Sequence, residues 1–119
     1  MEQKNQSPWD RDIVKERAQA AQPLDAMFIV VQYNADHHGY PKQQLLTPDD
    51  IFKILTNDEL NELRRRVDEL LADRLYFGKK YWTGTRNHQE IIDEMARRHP
   101  GFSLKTYNQA LNTGIMWLR

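Results

Sequence analysis

Between Thr56 and Phe77 the chain runs TNDELNELRRRVDELLADRLYF, and this stretch constrains the fold more than any other. Thr56 and Glu59 stand at capping-box spacing, in which the hydroxyl and the carboxylate each satisfy an orphaned backbone N–H. Leu55 and Leu60 add a hydrophobic staple. Apolar residues then recur at Leu60, Leu63, Val67, Leu70, Leu71 and Leu75, the i, i+3, i+4, i+7 repeat of a helix with one apolar stripe. Such a stripe must be covered by other helices. The pattern therefore predicts an all-α fold with a long central helix over roughly 56–77. Gly78 can close that helix in the left-handed conformation, or the helix runs on to Trp82 and stops at Gly84.

On the polar face of the same stretch, Arg64, Arg65 and Arg66 invite an anion-binding reading. Each has an acid four residues away, in Asp68, Glu69 and Glu62 respectively, so a solvated and self-paired face is expected instead.

Helix signals recur along the rest of the chain. Ser7, Pro8 and Asp10 have the types wanted at N-cap, N1 and N3, and predict a first helix to about Ala21 with Trp9, Ile13, Val14 and Ala18 inward. Pro23 ends it. The segment Leu24 to Tyr33, LDAMFIVVQY, favours a strand by propensity. Leu24, Met27, Phe28, Val31 and Ala35 nevertheless follow a helical stripe, with Asp25 available as a cap, so a helix is expected there. Gly39 ends it, and HHGYPKQQ is expected as a surface loop. Thr47, Pro48 and Asp50 repeat the capping pattern before a short helix from Pro48 to Leu55. Asn87 with Glu90 starts HQEIIDEMARR, and Ser103 starts LKTYNQALNTGIMWLR, with Phe102 and Tyr107 at staple spacing. The expected architecture is a single compact domain of about six helices over residues 1–119.

Composition narrows the function classes. There is no cysteine, which excludes disulfides and thiolate chemistry. The longest purely apolar run, Ala26 to Val31, is far too short to cross a bilayer. No basic region followed by an apolar one marks the N-terminus as a secretory signal, so a cytoplasmic setting is expected. Formal net charge is zero but unevenly spread: residues 1–62 carry 6 basic and 11 acidic side chains, and residues 63–119 carry 11 and 6. Such a split lets halves attract each other, within one chain or between two copies, or marks a nucleic-acid surface.

Three constellations could carry chemistry. Asp36, His37 and His38 are candidate metal or acid/base residues, yet they offer two converging ligands at most where a site needs three or four, with no His-x3-His pair on one helix face, so no metal or cofactor is expected. No phosphate loop, nucleophile elbow or zinc-protease helix is present, and the chain is expected not to be an enzyme.

The hairpin over 87–119 has helix-turn-helix spacing. Its second helix places Leu104, Tyr107, Leu111, Gly114, Ile115 and Leu118 on one side. Lys105, Thr106, Gln109, Asn112 and Thr113 stand on the other, where base edges could be contacted while Lys79, Lys80, Arg86, Arg97 and Arg98 meet phosphates. Against a DNA reader stand Arg97 at a position that wants a small residue and Pro100 at one that wants an apolar one.

Met116 and Trp117 fall off the apolar side of the last helix and, with Trp82, suggest a partner surface for another protein or a second copy. The expected function is thus a non-enzymatic binding or regulatory protein acting through a helical interaction surface, with homodimerisation through Trp117 expected. DNA binding through the C-terminal hairpin is the second reading. A metal-dependent enzyme using Asp36, His37 and His38 is the third.

Overall fold

The computed structural model describes residues 10–84 and 86–118. Among them every regular element is helical: α1 (Arg11–Ala20), α2 (Pro23–Asp36), a 3-10 turn (Lys42–Gln44), α3 (Pro48–Ile51), α4 (Asn57–Ala72), α5 (Arg74–Thr83), α6 (His88–Arg98) and α7 (Leu104–Trp117). The fold is all-α. By packing, the chain divides into two compact units, Met1–Arg64 and Arg65–Arg119.

In the first unit α1 and α2 lie closest, and α3 packs on both. Asp10 caps α1 by accepting from the backbone N–H groups of Asp12 (3.0 Å) and Ile13 (3.5 Å), so the helix starts later than the Ser7 pattern predicts. Ser7, Pro8 and Trp9 lie outside the described residues. The ambiguous apolar segment is helical. Pro23 occupies the first turn of α2 and Gln22 the cap position, while Asp25 is buried rather than capping. Burial along nearly the whole of α2 outweighs the strand propensity of its β-branched run, because tertiary packing rather than propensity decides such segments. Val14, Val30, Tyr33 and Leu46 form a core cluster, joined by Ile29 and Ile51. Asn34 fastens the loop to it, accepting from the Leu46 N–H (2.9 Å) and donating to the Leu46 carbonyl (2.8 Å). α3 has the predicted Thr47 and Asp50 capping box but ends at Ile51, earlier than expected.

The capping box of the long stretch is present as predicted, with Thr56 N–H donating to Glu59 (2.8 Å) and Glu59 N–H to the Thr56 hydroxyl (3.2 Å). The stretch is nevertheless two helices, because it is interrupted at Asp73. There the backbone N–H is shared between the Glu69 and Leu70 carbonyls at 3.3 and 3.2 Å, the sharing seen where an α-helix tightens at its end. The interruption shifts the inward face: Val67 and Leu70 are buried before it and Phe77 and Gly78 after it, while Leu75, expected on the stripe, is exposed. The late stop is the one used, with Gly84 closing α5 at φ 68°.

In the second unit α5 and α7 are the most closely packed pair, and α6 lies against both. Val67, Leu70, Phe77, Ile91, Met95 and Leu111 are fully buried, each contributing roughly 1.5–3 kcal/mol relative to exposure. Asn87 with Glu90 caps α6 and Ser103 caps α7, both as predicted. A ring contact between Phe102 and Tyr107 (centroids 5.9 Å apart) realises the expected staple. Tyr107 also donates its hydroxyl proton to the His99 carbonyl (2.6 Å) and accepts from the Phe102 N–H (3.3 Å), clasping the turn between α6 and α7.

Candidate partner-binding surface

α5 and α7 approach so closely because each presents a glycine at the contact. A Cβ added to Gly78 would lie 2.6 Å from the Gly114 carbonyl carbon, and one added to Gly114 would lie 2.0 Å from the Arg74 carbonyl oxygen. With the backbones in contact, side chains at the ends of the two helices are drawn together. The Trp82 indole N–H donates to the Ile115 carbonyl (2.9 Å), and the Arg74 guanidinium sits 5.9 Å from the centre of the Trp117 ring. Trp82, Met116 and Trp117, picked out from the sequence, stand 52%, 60% and 68% exposed.

They have company. Of ten large apolar side chains exposed among the described residues, eight belong to α5, α7 or the α7 cap: Leu75, Tyr76, Tyr81, Trp82, Leu104, Met116, Trp117 and Leu118. Scattered exposed apolar residues need no explanation, but this concentration on two helices that pack together does. Leu104 and Leu118, expected inward, are among the exposed ones, and Thr106, expected outward, is buried. α7 seats Thr106, Tyr107, Ala110, Leu111 and Gly114 on its neighbours and turns Lys105, Gln109, Asn112 and Met116 outward as one stripe.

The basic residues proposed for phosphates behave differently from one another. Lys80, Arg86 and Arg98 converge on a single carboxylate, that of Glu94, at 3.2, 3.5 and 3.4 Å. The Tyr76 hydroxyl donates to it as well (3.2 Å), and the Glu94 side chain is only 13% exposed. Burial works to raise the Glu94 pKa, but the hydrogen bonds from Lys80 and Tyr76, the Lys80 charge and the Arg98 hydrogen bond outweigh it and hold the carboxyl below the ordinary glutamate value. Lys80 is correspondingly pushed up, first by its hydrogen bond with Tyr76 and then by Glu94. Both Lys80 and Arg98 also lie over the Tyr76 ring, at 4.6 and 4.8 Å. Arg98 further reaches Asp73 (3.3 Å), which accepts from His99 Nε2 at 2.7 Å when that nitrogen carries a proton. Lys79, Arg97 and Lys105 are exposed and make no ion pair with a described residue.

Of the three arginines on α4, Arg65 pairs with Glu69 (2.6 Å) as predicted, whereas Arg66 donates to the Pro100 carbonyl. A small cleft of about 170 Å³ lies between them, lined by Arg65, Arg66, Glu69, Arg98, His99, Pro100 and Phe102.

The Asp36, His37 and His38 cluster is taken up locally in the first unit. His37 stacks on Tyr33 (centroids 4.0 Å apart), with its Nδ1 2.8 Å from the Tyr33 carbonyl, and Asp36 accepts from Gln32 (3.0 Å). No three His, Asp or Glu side chains converge as metal ligands among the described residues.

Glu94, Asp73 and Arg74 were invisible as site residues to sequence reasoning, although one signal was there. Residues 74–89 and 95–119 contain no acid at all, so Glu94 is the last carboxylate side chain before a long basic stretch. No described helix is long and apolar enough to cross a membrane. Comparison with family models, curated proteins and solved structures finds no match, so the functional reading rests on the residues of this chain.

Proposed function

We propose that this chain is a non-catalytic binding protein of the cytoplasm that engages a protein partner, or a second copy of itself, through the α5–α7 surface centred on Trp82, Met116 and Trp117. The observation that carries the reading is the gathering of eight exposed large apolar side chains on two helices locked together at Gly78 and Gly114. Large aromatic residues held on a rigid, well-packed support are the commonest anchors of protein interfaces. Photo-crosslinking from position 117 in cells, with exposed Gln89 as the control position, tests it. A discrete crosslinked species from 117 and none from 89 supports the reading. Its absence, together with a monomer in sedimentation at high concentration, refutes it.

Nucleic-acid binding is the second reading, favoured by the outward stripe of Lys105, Gln109 and Asn112 on an acid-free helix. It is weakened by Glu94, which already occupies Lys80, Arg86 and Arg98. Titration with random duplex DNA decides: phosphate contacts would give binding at low salt that falls steeply as salt rises, and no binding at low salt ends this reading.

A further inference from the structure

The apolar surface has an electrostatic frame, and the frame specifies the partner. α5 carries Arg74, Lys79 and Lys80, α7 carries Lys105, and neither contains an acid. The acids nearest to this frame that the structure pairs with it are Asp73 and Glu94, and both are spent on internal cations: Asp73 on His99 and Arg98, Glu94 on Lys80, Arg86 and Arg98. What remains without a carboxylate among the described residues is exposed Lys79 and Lys105 and the half-buried Arg74, whose guanidinium lies beside Trp117.

Arg74 makes the case sharper. Its Nε is buried and makes no hydrogen bond, so this guanidinium is partly removed from water without a carboxylate to compensate it. A charge held that way gains more from an incoming anion than a fully hydrated lysine would, because the desolvation has already taken place. Duplex DNA brings anions but little apolar surface to cover Trp82, Met116 and Trp117. An acidic protein segment brings both.

Resting on the interaction reading above, we propose that the α5–α7 surface takes an acidic segment with apolar anchors, a helix or turn whose apolar side chains cover Trp82 and Trp117 while one of its carboxylates accepts from the Arg74 guanidinium.

The test uses the full chain and three synthetic helical peptides with one leucine stripe and glutamate, glutamine or lysine at every other position, followed by tryptophan fluorescence and by backbone amide shifts. The glutamate peptide is expected to bind about tenfold more tightly than the glutamine one and to weaken as salt rises, with shifts confined to α5 and α7, while the lysine peptide does not bind. Arg74→Gln and, separately, exposed Lys79→Glu should narrow the glutamate preference without abolishing binding. Two different variants guard against a folding defect in either, checked by circular dichroism. Equal binding of the glutamate and glutamine peptides overturns the charge inference but leaves the interaction reading intact. Binding of none of the peptides, with crosslinking from position 117 still present, likewise overturns only this inference. Loss of both overturns both. Tighter binding to phosphatidylserine vesicles than to the glutamate peptide overturns it in favour of a membrane surface.

Discussion

Gly114→Ala separates two opposite expectations. In an isolated helix the change is favourable by about 1 kcal/mol, because glycine is a poor helix former. In this protein the new methyl would stand 2.0 Å from the Arg74 carbonyl oxygen and 2.7 Å from its carbonyl carbon. Ordinary contact begins near 3.4 Å, so α5 and α7 must part by about 1.4 Å along that line. The obstacle is backbone, which cannot swing aside as a side-chain tip can. Overpacking of this kind costs typically 1–3 kcal/mol, and a backbone clash belongs at or above the upper end. Set against the gain in propensity, the net destabilisation is about 2 kcal/mol or more, or a fall in Tm of at least roughly 6–12 °C for a chain of this size. Thermal and urea melts followed by far-ultraviolet circular dichroism measure it. Exposed Asn112→Ala on the same helix is the control and should raise stability by a few tenths of a kcal/mol. Gly78→Ala should destabilise as well, and the double variant by less than the sum, since one parting of the helices makes room for both methyls. A Gly114→Ala protein that melts higher than the parent would refute the close approach of α5 and α7, and with it the argument that gathers the exposed aromatics.

Two further outcomes follow from the same geometry. The Glu94 carboxyl, and in the first unit the Asp50 carboxyl held low chiefly by the Thr47 N–H and further by the Thr47 hydroxyl and Arg11 against the effect of burial, have folded pKa values below their unfolded ones. Their stabilisation is therefore complete above the ordinary carboxylate range of about 4 and is lost as pH falls through the lowered values, so Glu94→Gln and Asp50→Asn should flatten the acid limb of a stability-against-pH curve. Trp82→Phe keeps an aromatic side chain but removes the indole donor to Ile115, and should cost about 0.5–1.5 kcal/mol while shifting the Ile115 carbonyl carbon resonance; an unmoved resonance would count against the bond.

The helices were legible because their starts are written in local chemistry. Thr56 with Glu59, Thr47 with Asp50, and Asn87 with Glu90 form their reciprocal caps as spaced, each satisfied within four residues of chain. The interruption at Asp73 was not legible, since nothing local forbids a helix through LLADRLYF. The Asp73 carboxylate is drawn instead to Arg98 and His99, some 25 residues further on. The phase of α7 was legible, but the edges of its inward face were not, for a related reason. Periodicity placed Tyr107, Leu111 and Gly114 inward, where they are, but also Leu104 and Leu118, which are exposed, and it placed Thr106 outward, where the close seat of Ala110 and Gly114 buries it instead. The aromatic candidates were found correctly as exposed, whereas their cationic setting depended on which bases Glu94 takes up, and that is a property of folded geometry.

The sharing of Glu94 among three cations has a consequence for how this chain tolerates change. Each of Lys80, Arg86 and Arg98 is one of several donors to the same acceptor, so the loss of any one leaves the carboxylate still compensated. The acceptor matters more: without it, Arg86 loses its carboxylate, and Lys80 and Arg98 face each other over the Tyr76 ring, with Asp73 left to Arg98 alone of the three. Sequence drift in this region should therefore be lopsided, with the basic positions free to vary one at a time and position 94 fixed until another acid arises within reach of Lys80 and Arg86.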